Sequence, residues 1–216
     1  MNEFTSTKQW HHEKLLEKMK ANLEKRDFNV KILRDREEVH QFIKDVIPEG
    51  SSVGLGGSVT TRELGIDTLL KKRGNTVYDH WQEGLTREEM TEMIRKQPQS
   101  DFFLTSVNAV TMEGQLVNTD MTGNRVASMI FGPGHVIAFI GTNKLVKDLE
   151  QAMWRIKNVA SPQNSRRKNL GAPCEKTGYC VDCKTKASLC KITTIIDYRP
   201  PATSFTIVLL PLQLGF

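Results

Sequence analysis

Short apolar runs alternate with capped, amphipathic stretches along this chain, and that alternation constrains the fold more than any other feature. Residues 52–55, 76–78, 102–106, 136–140, 192–196 and 205–209 read as strands. Several are apolar at consecutive positions rather than at every second one. A strand patterned in that way is buried on both faces. Strands of this kind separated by helices build a mostly parallel sheet flanked by helices, so the predicted class is α/β.

The helix signals have identifiable starts and stops. Asp35-Arg-Glu-Glu38 is a capping box, in which Asp35 accepts from the third amide and Glu38 reaches back. It opens a helix carrying Val39, Phe42, Ile43, Val46 and Ile47, which Pro48, Glu49 and Gly50 end. Thr60-Thr-Arg-Glu63 predicts a second helix running to near Gly74, and Thr86-Arg-Glu-Glu89 a third that closes before Pro98. Residues 110–117, turning at Glu113-Gly114, read as a hairpin or bent strand, and 125–130 as a short helix. Leu145, Leu149, Ala152, Met153 and Ile156 form one face of a further helix, and Leu15, Leu16, Met19 and Leu23 give residues 7–26 the same pattern. Residues 1–48 are therefore expected to be an N-terminal helical segment, and 49–216 one α/β domain.

A chain of 216 residues, 38% of them hydrophobic, is long enough for one sizeable core. No run of eighteen apolar residues exists, so no membrane span is predicted. The opening MNEFTSTKQWHHEKLLEKMK has no apolar stretch or small-residue cleavage site, which points to the cytoplasm, where thiols stay reduced. The net charge is +5 and the pI about 9.0. Much of the excess lies at Arg166, Arg167, Lys168, Lys176, Lys184, Lys186 and Lys191. Aromatic residues do not interleave with these charges, so nucleic acid is not an expected partner.

All four cysteines sit in the stretch PCEKTGYCVDCKTKASLC, as Cys174, Cys180, Cys183 and Cys190. This is a cysteine-rich insertion at about 170–191, between the last long helix and the final strands. A C-x-x-C turn brings two sulfurs to one side, and outlying cysteines complete a four-sulfur set. The spacing C-x5-C-x2-C-x6-C matches neither the ferredoxin run nor a zinc ribbon. The expectation is an iron–sulfur cluster or, alternatively, zinc, set against four reduced thiols in a basic loop.

The turn after the first strand of the 49–216 region, Ser52-Val-Gly-Leu-Gly-Gly-Ser-Val-Thr-Thr61, is the candidate ligand loop. Gly56 and Gly57 let backbone approach a ligand, and Ser58, Thr60 and Thr61 add hydroxyls ahead of a helix. The pattern is neither G-x-G-x-x-G nor a Walker loop, which argues against nucleotide hydrolysis. Ligands of parallel sheets gather at the carboxyl ends of the strands. Asn108, Asn124 and Arg125 are expected at the same edge, with Arg125 able to take a carboxylate or phosphate bidentately. The predicted ligand is a small carboxylate or a phosphorylated molecule. Glu113 is the candidate acid–base or nucleophilic residue, with a plain turn role as its alternative.

The segments GLGGSVTTRELGI, DFFLTSVNAVTMEGQLVN, GNRVASMIFGPGHVIAFIGTNKLV and PCEKTGYCVDCKTKASLCKI resemble the lactate-utilisation (LUD) domain family, which includes the C subunit of the bacterial lactate-utilisation complex. The resemblance runs from about residue 10 to 216, in a cysteine-containing form similar to stand-alone members. It implies a fold like that of ribose-5-phosphate isomerase and the CoA transferases, with the ligand loop at 54–61. It also implies a part in oxidation of L-lactate to pyruvate, beside partner subunits that carry iron–sulfur clusters. Three classes stay open on the residues: such a lactate-system protein, an isomerase or CoA-transferase type of enzyme using Glu113, and a non-catalytic scaffold or regulator.

Overall fold

The computed structural model describes residues 3–216. Its elements run α1 (Glu3–Glu24), β1 (Asn29–Ile32), α2 (Arg36–Val46), β2 (Ser52–Leu55), α3 (Val59–Glu63), α4 (Ile66–Lys72), β3 (Thr76–Asp79), α5 (Arg87–Lys96), β4 (Phe102–Thr105), β5 (Ala109–Thr111), β6 (Leu116–Asp120), α6 (Asn124–Ile130), β7 (His135–Gly141), β8 (Leu145–Val146), α7 (Leu149–Arg155), α8 (Ser161–Lys168), α9 (Pro173–Thr177), β9 (Ile192–Ile196) and β10 (Ser204–Leu210). The main sheet has the order β1-β10-β7-β4-β2-β3, and every pairing in it is parallel. The α/β expectation holds.

The consecutive apolar residues divide between two cores. Val136, Ala138 and Ile140 of β7 face Leu16, Met19 and Leu23 of α1, together with Phe103, Phe205 and Ile207. Ile137 and Phe139 face the other way, onto Val39, Ile43 and Ile47 of the second helix region and Leu64, Ile66 and Leu70. Each residue from Val136 to Ile140 is thus buried on one side or the other, which is why the alternation of a half-exposed strand is missing in β7. Among the described residues no helix is long and apolar enough to cross a membrane.

Several local expectations change. Residues 1–48 are not helical throughout, since β1 joins the main sheet in register with β10, Val30 opposite Ile207. Residues 109–120 form an antiparallel hairpin, but in a second, four-stranded sheet ordered β8-β5-β6-β9. The strand at 192–196 pairs antiparallel with β6 there, not with the main sheet. Leu145 belongs to β8 rather than to the helix that follows.

The helix predicted from Thr60 to Gly74 is broken at Gly65, whose φ of 66° is left-handed and whose α carbon faces the Arg36 guanidinium. Its cap is Ser58, which accepts from the Thr61 amide, while Glu63 accepts the Gly215 N–H at 2.6 Å instead of closing a box. The box at Thr86 does form in both halves. At Asp35 only the first half forms, since the Glu38 carboxylate accepts from the Arg34 amide. The long helix after Asp148 carries a π-helical turn over Ile156–Ala160, between α7 and α8. Such turns are uncommon and often sit at functional sites.

Candidate functional site

The carboxyl ends of β2, β4, β6 and β7 open onto one cavity of about 110 Å³. The glycine loop Gly56-Gly57-Ser58 supplies one wall, Ser106 to Asn108 a second, and Asp120 to Arg125 a third. Residues of α8 and the turn before it, Ala160, Ser161, Asn164 and Lys168, cover it, with His80 and Trp81 from the end of β3. Arg167 lies over the Trp81 ring at 4.0 Å and Arg62 approaches it at 5.5 Å, so cation–π contacts tie the cover to the sheet edge.

Lys144 is the distinctive group in this cavity. It follows β7 and is only 3% exposed. Its Nζ donates to Thr60 Oγ1 at 3.0 Å and to Ser106 Oγ at 2.9 Å. An ammonium has three donors, so hydroxyls account for two of them. Among the described residues it forms no ion pair, although it lines the cavity. Burial, reinforced by the positive charges of Arg155 and Arg125, pushes its pKa down to about 7, against a smaller opposing pull from Glu63. A buried cation without a counter-ion is costly, and an anion entering the cavity relieves that cost.

The surrounding charges reinforce this preference. Lys168 also lines the cavity, and burial, with Arg167, lowers its pKa. His80 is pushed down to about 4 by burial and by Lys168, so it is neutral at pH 7; Asp79 opposes this, and Arg62 and Arg167 add to it. Its Nδ1 lies 2.9 Å from Gln97 Nε2, which suits a neutral ring accepting at that nitrogen.

Of the residues expected at the site, Gly56, Gly57, Ser58, Thr60, Asn108, Asn124 and Arg125 all line this cavity. Thr61 does not; it is buried behind the loop, its hydroxyl donating to the Ser58 carbonyl at 2.8 Å. Arg125 differs from the expectation of a bidentate ligand clamp. Its guanidinium already pairs with Asp120 and donates to the Ser106 and Thr119 carbonyls and Asn108 Oδ1. It positions two walls of the cavity. The helix after the glycine loop is a single turn, so the positive charge there comes from Lys144 rather than from a helix end.

Glu113 lies outside this cavity. It occupies the β5–β6 turn, with its side chain 77% exposed and 3.9 Å from Arg26, whose Nε donates to its carbonyl at 2.5 Å. Lys144, His80 and Trp81 escaped the sequence reading, and Lys168 entered it only as part of the basic cluster. The segment Gly-Thr-Asn-Lys144 reads as a polar surface turn; its position just beyond an apolar parallel strand is the signal that marks it.

The four cysteines are all free thiols, and all four line a second, enclosed cavity of about 20 Å³ beneath the π-helical turn. Among the described residues no three His, Cys, Asp or Glu side chains stand arranged to hold a metal ion. The thiol cavity and the larger one share Ser161 and Leu189 in their walls.

Comparison with curated proteins finds no match. Among solved structures, the chain is similar to a DUF162 family protein from Deinococcus radiodurans, with a TM-score of 0.52 at 9% identity, over 92% of this chain and 98% of that one. That likeness is one of fold. The LUD domain model matches residues 16–210, which takes in nearly all of both cores and the cavity lining together with the thiol loop, and on that match this chain belongs to the LUD domain family.

Proposed function

We propose that this protein acts in the oxidation of L-lactate to pyruvate and that its cavity binds a small carboxylate, the 2-hydroxy acid or its 2-oxo product. The observation that carries the binding half is Lys144, a buried amine held by two hydroxyls that, among the described residues, forms no ion pair. Membership of the LUD domain family supports the pathway half. The ligand carboxylate pairs with Lys144, and Ser106 and Thr60 orient it. Lys168 adds positive charge from the cover. Electrons pass to iron–sulfur partner subunits.

The cavity, about 110 Å³ and open to solvent on one side, has room for the carboxylate and short carbon chain of lactate or pyruvate. An isomerase or CoA-transferase reaction through Glu113 is not favoured, because that carboxylate is exposed on the turn beside Arg26.

Calorimetric titration with L-lactate, pyruvate, ribose 5-phosphate and coenzyme A tests the reading. Lactate or pyruvate is expected to bind, and Lys144→Met to weaken that binding at least tenfold, about 1.4 kcal/mol. Equal affinity in the Lys144→Met protein, or binding of ribose 5-phosphate in preference to both acids, would overturn it.

A further inference from the structure

We propose that Cys174, Cys180, Cys183 and Cys190 hold a soft metal as four thiolates, as an iron–sulfur cluster or as zinc, and that the loaded loop forms one wall of the carboxylate cavity. The sulfurs come from three separate places: α9, the C-x-x-C turn, and the residue two before β9. Burial as small apolar side chains explains Cys174 alone. Cys180 and Cys183 are half-buried and Cys190 is exposed, yet all four border the same void. The rest of that void is lined by Ala172, Val181 and Leu189 with a few polar groups, so it offers a metal no competing carboxylate or imidazole.

Backbone and side chains around the loop already favour sulfur as a ligand. The Asp182 amide donates to Cys180 Sγ at 3.3 Å, a contact made possible by the left-handed φ of 50° at Asp182. Asn158, in the π-helical turn, accepts the Cys180 N–H at 3.2 Å, and Lys157 in the same turn pairs with Asp182 at 3.1 Å. The Ser165 hydroxyl, fully buried and without another partner, lies beside Cys174. Outer contacts of this kind orient thiolates for a metal. The thiols do not yet stand at coordination geometry, so loading draws them inward around the void.

The coupling between cavities follows from chain connectivity. Leu189 precedes Cys190, and Cys190 Sγ lies 3.3 Å from the Ser161 hydroxyl; Leu189 and Ser161 both line the carboxylate cavity. Fixing Cys190 on a metal therefore fixes that wall. This coupling rests on the carboxylate reading above, whereas the thiol site does not.

Anaerobic purification with iron, zinc and sulfide analysis, a visible spectrum and thiol titration tests the site. About four iron and four sulfide with broad absorption near 400 nm identifies a cluster, and about one zinc without colour identifies zinc. In either case Cys180→Ser with Cys183→Ser is expected to lower metal below a tenth of the wild-type level. Less than about 0.2 metal per wild-type chain after reconstitution with ferrous iron and sulfide or with zinc, and four titratable thiols, would overturn the site.

Pyruvate titration of loaded and chelator-stripped wild type tests the wall, with circular dichroism to show that the stripped protein stays folded. Affinity is expected to fall about fivefold or more on stripping. Equal affinities would overturn the coupling. If neither form binds pyruvate, the carboxylate reading fails, while the metal count still decides the thiol site.

Discussion

Three cations, Arg125, Lys144 and Lys168, face the larger cavity, and the neighbours of the first two leave them different work. Arg125 is engaged by Asp120, Asn108 and two carbonyls. Among the described residues Lys144 bonds to hydroxyls only, and burial depresses its pKa to about 7. A depressed lysine pKa means that the unfolded chain, with its lysine near 10.5, binds more protons than the folded one between those values. Stability therefore rises with pH from about 7 to about 10.5, and the contribution is lost as pH falls through 7. Lys144→Met is expected to flatten that part of a urea-denaturation profile against pH. Pyruvate affinity, which needs the protonated amine, is expected to fall about tenfold per unit above pH 7, measured by calorimetry. An affinity unchanged from pH 7 to 9 would show that the charge of Lys144 does not hold the ligand. At this scale the sequence named the lining glycines, hydroxyls and Arg125, but missed Lys144, because an unpaired buried charge is defined by the absence of partners from distant segments.

The glycine loop shows why an element can be legible while its reason is not. Gly56 was expected to let backbone approach a ligand. A β carbon there would lie 2.7 Å from Phe103 Cζ and 2.8 Å from Thr105 Oγ1, so the residue is small because neighbouring β4 packs against it. Gly57 has a φ of 62° and faces His80 and Trp81. Gly56→Ala is expected to cost about 1–3 kcal/mol in chemical denaturation through overpacking, and to weaken pyruvate binding as the loop shifts. Full stability would mean that Phe103 has room to move. Helix caps were readable because they are contacts between residues three apart, as at Thr86 and Glu89. The break at Gly65 and the π-helical turn were not, since each depends on packing against Arg36 or on the loops below the helix.

Across the molecule, Arg155 ties the two halves of the site. It is 6% exposed and donates to the Asn108 carbonyl at 2.6 Å and the Asn143 carbonyl at 2.7 Å, joining the end of α7 to the loops after β4 and β7. Arg155→Met leaves two carbonyls without that donor, and is expected to destabilise the fold by about 2–5 kcal/mol. For a chain of this size that lowers the melting temperature by about 2–4 °C per kcal/mol, read by calorimetry. A shift under 2 °C would show that the carbonyls find other partners. The sequence by itself determined the α/β class, the buried parallel strands, most caps and the clustering of the thiols, because these rest on periodicity and near-neighbour chemistry. Tertiary structure decided that β1 and β10 share a sheet edge, that Glu113 stands apart, and that Lys144 is stranded among hydroxyls. It also placed the thiol loop, separated by more than a hundred residues from the glycine turn, on the far side of a common wall at Ser161 and Leu189. Burial and proximity between distant segments are properties of the packed chain, and no local pattern carries them.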